Sequence, residues 1–263
     1  LYPYNRLRAV EDLVEYLDHI EDFTSFSDGG APYFVDYLAG IYPPGYGGRN
    51  FQGLSGMGVS VMTRDADTPV GFGGQIINMD GSKAAGGPTS NYAMGTIAHE
   101  ATHDWLGAPD LYDYDMFNGL INNDPVGGND LMATGGMTHY TPVIKELGPW
   151  IEPQLLNGPD ALLTAGVPQR LQIHPAETTP NQYFKYERPG SSESFWFWYE
   201  SANTILDQKP GGSGLYIMHA DPGSDPAALP NQQRQNNHFL YEIVQADGLN
   251  ELQDGVNTGD DGD

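Results

Sequence analysis

Ile97-Ala98-His99-Glu100-Ala101-Thr102-His103-Asp104, running on into Trp105-Leu106-Gly107-Ala108-Pro109-Asp110-Leu111-Tyr112-Asp113, is the stretch on which the reading of this chain turns. It contains the pattern H-E-x-x-H. On a helix, residues four apart project from one face, one turn apart, so His99 and His103 can offer two neutral imidazole nitrogens to a single metal ion. Glu100 stands beside them as a carboxylate able to take up and return a proton. A peptide bond hydrolyses very slowly in water. A zinc-held water of lowered pKa next to a carboxylate base supplies the missing nucleophile.

Two histidines leave a catalytic zinc one protein ligand short. In thermolysin-like enzymes the third ligand is a downstream Glu, but no Glu lies between Glu100 and Glu146, and Glu146 stands in an unlike context. In metzincins the third ligand follows soon after a Gly that lets the chain leave the helix and turn back. Gly107 followed by Asp110 suits that arrangement, giving a His99, His103, Asp110 set. Asp104 and Asp113 are the alternatives, although Asp104 follows His103 directly and points off the metal-facing side.

The run HEATHDWLGAPDLYD resembles the signature of the immune inhibitor A family of secreted bacterial metallopeptidases, close to HExxHxLGLPDLYD. Further segments are similar in order: NDLMATGG, KELGPW, ESFWFWYE, PGGSGLYIMHAD, and finally QADG with NTGDDGD. The similarity spans roughly residues 90–263. It implies a metzincin-like zinc protease core, secretion, and Met132 as the apolar floor beneath the metal. One residue departs from the family pattern. Three residues, Asp104, Trp105 and Leu106, separate His103 from Gly107 where the family has two, so Trp105 must bulge from the helix end or extend it. Other metzincins often carry a Tyr two positions after the floor Met; here that position is Thr134, leaving His139 or Tyr140 as candidates to stabilise the transition state.

Composition bounds the alternatives. With 35 acidic against 11 basic residues the net charge is −24, which argues against nucleic acid and anionic membrane surfaces as partners. The absence of cysteine excludes disulfides, thiolate zinc sites and a cysteine nucleophile together. No G-x-S-x-G elbow supports a serine hydrolase. No apolar run approaches a membrane span, and the chain opens at Leu1 without an apolar leader, as a processed product would. Hard calcium takes six to eight oxygens from Asp, Asn and backbone carbonyls. Asp247 with Asp260, Asp261 and Asp263 is one candidate calcium cluster, and Asp113, Asp115 and Asn118 is another.

The expected fold is α+β: a metzincin-like catalytic domain over residues 1–155, with an active-site helix and mixed sheet, then a β-rich subdomain over 156–263. The spacing of Leu7, Val10, Leu13, Val14 and Leu17 predicts a helix over 6–22, with His19 at its end as a structural residue. Residues 29–50 read as irregular chain around one short element. Strands are predicted at Gly58–Thr63 and Gly74–Met79. The helix carrying the histidines is predicted over 91–105, capped by Ser90 or Asn91, and another over Pro142–Leu147. Later strands are predicted at Arg170–His174, Gln182–Tyr186, Phe195–Glu200, Gly214–His219 and Phe239–Gln245. His219 and Asp221 are expected to hold a strand end, and Gln75–Asn78 to pair with an extended substrate by edge addition. The function these features point to is zinc-dependent hydrolysis of protein or peptide substrates, with Glu100 activating the metal-bound water. The competing readings are a zinc protease outside the metzincins, and an inactive calcium-stabilised binding or adhesion module on a protease fold.

Overall fold

A computed structural model describes residues 4–27, 33–42, 53–54, 59–64, 66–78, 91–113, 124–133, 138–159, 161–164, 166–201, 213–223, 239–246, 248 and 252. The chain is α+β and divides into two compact units, Leu1–Gly107 and Ala108–Asp263. No helix among the described residues is long and apolar enough to cross a membrane.

The first unit is built on strand β4 (Val70–Asn78). β1 (Phe34–Tyr42) lies parallel along one edge of β4, with Phe34 opposite Gly71 and Tyr42 opposite Asn78. β2 (Gly53–Leu54) and β3 (Val59–Val61) run antiparallel to β4 at Ile76–Ile77 and Val70–Phe72 respectively. Segment 75–78 is therefore bonded to β1 and overlapped by β2, which overturns the expectation that it pairs with substrate by edge addition. With β1 along the whole of 75–78 and β2 across Ile76–Ile77, the segment offers no continuous row of N–H and C=O groups to a guest strand.

Helix α1 (Tyr4–Leu17) lays Val10 and Val14 into a core made with Phe23, Val35, Val61, Val70 and Phe72. Its register is the predicted one, but it stops five residues short of the expected end. There Asp18 turns away, and both its carboxylate oxygens accept the Arg64 N–H at 3.0 Å. His19 Nε2 lies 3.1 Å from the Arg64 guanidinium, a structural placement. β1, expected as one short element, is nine residues long because pairing with β4 carries it. Helix α2 (Asn91–Leu106) packs on β4. A cap at Ser90 lies outside the described residues.

In the second unit a 3-10 turn at Gly127–Asn129 precedes helix α3 (Pro142–Leu147), which has the predicted limits and is started by Pro142 at its first position. Its sheet has the order β5-β6-β7-β8-β9: Gln154–Leu155, Phe184–Glu187, Ser194–Glu200, Gly214–Ala220 and Tyr241–Ile243. β5 is parallel to β6, and the other neighbours are antiparallel. β7 alternates strictly, burying Ser194, Trp196, Trp198 and Glu200 on one face. Trp196 faces Met218 across the ladder and Trp198 faces Tyr216, their rings stacked at 5.4 Å. Such cross-strand aromatic pairs are the main stabilising unit of a sheet.

The strand predicted at Arg170–His174 does not form. Leu171 and Ile173 are half-buried as alternation requires, but His174 N–H is taken by the Gln182 side chain at 2.7 Å, and the ladder begins only at an isolated bridge from Pro175 to Tyr199. β5 is a strand that sequence patterning did not reveal, because two residues carry no readable period.

His219, on β8, ties together the segments that flank it. It is 5% exposed; Nδ1 lies 3.1 Å from Glu242 of β9 and Nε2 lies 3.2 Å from Glu193 at the start of β7. Ser192 donates to Asp221 at 2.6 Å, and Asp221 N–H bonds Leu240 C=O, so both residues hold the strand ends as expected. The hydrogen bond to Glu242, helped by the charge of both carboxylates and opposed by burial, raises the His219 pKa. A raised folded pKa means this contribution is complete below the unfolded His value near ~6.5 and fades as pH rises through the folded value. Denaturant unfolding of the wild type and His219→Gln should therefore show a larger stability gap at pH 5.5 than at pH 8.5.

Candidate metal centre

Helix α2 carries H-E-x-x-H near its C-terminal end. His99 and His103 project from one face, their rings 4.8 Å apart and nearly perpendicular, with their Nε2 atoms 3.1 Å apart. The opposite side of the same turns is packed: Ala101 and Thr102 are buried, and the Thr102 hydroxyl bonds back to Ala98 C=O at 2.6 Å. Glu100 is 8% exposed, a carboxylate largely withdrawn from water.

The helix runs to Leu106, so Asp104, Trp105 and Leu106 are all helical and Trp105 does not bulge before Gly107. Trp105 is 70% exposed, with its ring 5.4 Å from that of Tyr37 on β1. Gly107 follows at φ +62, and its N–H closes the last turn on His103 C=O at 2.9 Å. A left-handed residue at this position is the usual way to turn a chain off a helix, and glycine adopts it without the Cβ penalty.

The turn brings Asp110 back. One ligand atom each from His99, His103 and Asp110 lie within 4.8 Å of one another, and this is the only such group of three among the described residues. Donors about 2.0–2.1 Å from a tetrahedral zinc stand about 3.3 Å from each other, a spacing that the 3.1 Å between the two Nε2 atoms matches. The nitrogen, nitrogen and carboxylate-oxygen set suits zinc. Asp104 and Asp113 are not in the group. Glu146 is also outside it and instead accepts the Lys185 ammonium at 3.1 Å.

Two residues that sequence reasoning missed shape the surroundings. The Tyr37 hydroxyl is pushed up to about 12 by burial, then by the negative charges of Asp104 and Glu100, so it stays protonated throughout the neutral range. Nothing in the sequence around Tyr37 signals this, since only tertiary packing brings β1 to α2. Asp130 is fully buried; one carboxylate oxygen accepts Met132 N–H at 2.6 Å and the other accepts Thr141 N–H. Met132 is itself fully buried, and its C=O accepts the N–H of Leu111, the residue after Asp110, at 2.8 Å. The floor candidate is thus tied directly to the segment of the third ligand candidate. Asp130 stands inside NDLMATGG, but a lone buried Asp has no period to betray its role.

His139 and Tyr140 line a cleft of the second unit, and His139 is not part of the His99, His103, Asp110 group. Asp113 is buried, whereas Thr134 and the candidate calcium ligands Asp115, Asn118, Asp247, Asp260, Asp261 and Asp263 lie outside the described residues. No family model matches the chain, and neither does any curated protein or solved structure.

Gly107→Ala places an L side chain in the left-handed region and should lower stability by about 1–2 kcal/mol in denaturant unfolding. Asp130→Ala leaves two buried N–H groups without their acceptor and should cost about 2–4 kcal/mol by the same measurement.

Proposed function

We propose that the chain is a zinc endopeptidase of the metzincin type, hydrolysing peptide bonds as the likeness to secreted immune inhibitor A peptidases implies. The observation that carries this reading is the convergence of His99, His103 and Asp110 within 4.8 Å, with Glu100 on the same helix. Bound there, zinc supplies a Lewis acid that brings the pKa of water to about 7 and polarises a carbonyl.

The chain's own residues divide the remaining work. His99 and His103 hold their nitrogens in place through the helix backbone, and Asp110 adds a negative charge that favours a divalent cation. Glu100 takes the proton from the attacking water and delivers it to the leaving amine nitrogen, one carboxylate serving as base and then as acid. Its low exposure keeps bulk water from competing for that proton. Tyr37 stands by as a protonated phenol in the electrostatic field of Glu100 and Asp104. Met132 offers an apolar support behind the Asp110 segment.

Hydrolysis of casein should be lost on chelation and restored by zinc; full activity in chelator with no metal by elemental analysis would overturn the reading. Glu100→Ala should lower turnover about 10²–10⁴-fold while zinc stays bound. Asp110→Ala should lower the zinc-to-protein ratio, whereas Asp104→Ala and Asp113→Ala should leave it unchanged.

A further inference from the structure

The second unit holds a cleft of about 730 Å³ that the proposed hydrolysis does not use. Its walls come from α3 and the turn after it, from the segment around Glu177, and from β7. Two aromatic rings form a platform: Tyr140 and Trp150 stand 5.3 Å apart with their planes tilted by 37°. Trp150 is 56% exposed. Its backbone N–H bonds Lys145 C=O at 2.9 Å, and its indole lies against Gly148. A Cβ at Gly148 would stand 2.9 Å from the indole, so the Gly-Pro-Trp of KELGPW is what lets the ring lie flat there.

The charge of the cleft is lopsided. Glu152, Glu177 and Glu200 line it against one ammonium, Lys145. Lys145 donates to the Tyr183 hydroxyl at 2.6 Å and lies over the Tyr183 ring at 4.8 Å, so its charge is drawn to that wall. Glu200 is 4% exposed and accepts Trp198 Nε1–H at 2.6 Å. Glu177 accepts Ser201 N–H at 2.7 Å through Oε1, while its Oε2 is screened from solvent and has no hydrogen-bond partner among the described residues. The carboxylates of Glu177 and Glu200 add negative potential to the wall of the cleft, which favours a cationic guest.

From the indole platform and the acidic wall we infer that this cleft binds the basic side chain of a polypeptide, with arginine as the best fit. A guanidinium is planar, stacks on Trp and Tyr faces, and carries five N–H donors for carboxylates. Its aliphatic stem covers the ring while its head reaches the Glu residues. An anionic ligand would meet three carboxylates. A neutral sugar could stack on the same rings but would leave the Glu177 charge without a counter-charge. Binding here needs no hydrolysis and stands or falls independently of the proposed activity.

The test is titration of the intact protein with Nα-acetyl-L-arginine N-methylamide, followed by Trp fluorescence and calorimetry. The neutral isostere Nα-acetyl-L-citrulline N-methylamide and maltotriose serve as controls. The arginine probe should bind at least 10-fold more tightly than the citrulline probe and lose affinity with rising salt. Glu152→Gln and Glu177→Gln should each weaken it several-fold, and Trp150→Ala should weaken it and remove the fluorescence response. Trp150 and Glu152 are exposed, so their variants test the cleft even if Glu177→Gln unfolds. Equal affinity for arginine and citrulline, tighter binding of maltotriose, unchanged affinity in Trp150→Ala, or no binding at millimolar probe would each overturn the assignment. Casein hydrolysis, read separately, distinguishes failure of the cleft from failure of the protease reading.

Discussion

A helix can aim two side chains at one point when they are four residues apart, but it cannot bring a third from beyond its own end. The chain must reverse, and here the reversal rests on one left-handed residue. Gly107, at φ +62, closes α2 onto His103 and lets Ala108-Pro109-Asp110 return toward the two imidazoles. Without that turn His99 and His103 would be a solvated pair on a helix surface. With it, three donors of zinc-compatible chemistry converge, and Glu100 shares their helix. The segment is held from behind as well, since Leu111 bonds to Met132 and Met132 bonds to the buried carboxylate of Asp130. The buried Asp130 carboxyl accepts two backbone N–H groups, and those bonds hold the floor candidate and Thr141 in place.

The sheet of β5–β9 uses its carboxylates differently. In a chain this acidic, burial of Glu and Asp requires a donor at each site. Trp198 satisfies Glu200, His219 joins Glu193 to Glu242, and Ser192 satisfies Asp221. The sheet is thus stitched by aromatic pairs within its face and by hydrogen-bonded carboxylates at its ends. Glu177 Oε2 is screened from solvent without a hydrogen-bond partner among the described residues, and Glu177 lines the same cleft as the exposed indole of Trp150.

Legibility in the sequence followed periodicity. Helix α1 was readable from the spacing of Val10 and Val14, and α3 from Thr141-Pro142 at its start. The alternation of Trp196 and Trp198 gave away β7 before any coordinates. Where pattern and pairing part company, reading failed. Arg170–His174 alternates but its backbone is claimed by Gln182, and β5 is too short to show a period. The role proposed for Gln75–Asn78 failed for a related reason, since no local pattern tells an edge strand from one flanked on both sides.

The sequence by itself determined the donor types, the four-residue spacing of His99 and His103, the glycine after the helix and a short list of third-ligand candidates, Asp110 with Asp104 and Asp113 as alternatives, because these are matters of local chemistry and helical geometry. Only the tertiary structure decided that Trp105 is helical within α2, that Tyr37 faces Glu100 and Asp104, that Asp130 ties Met132 to Thr141, and that Trp150 lies against Gly148 in the cleft that Glu177 lines. Each of these joins residues distant in sequence or fixes a helix end that packing settles. A chain encodes such meetings only through the whole balance of burial and pairing, which no short window contains.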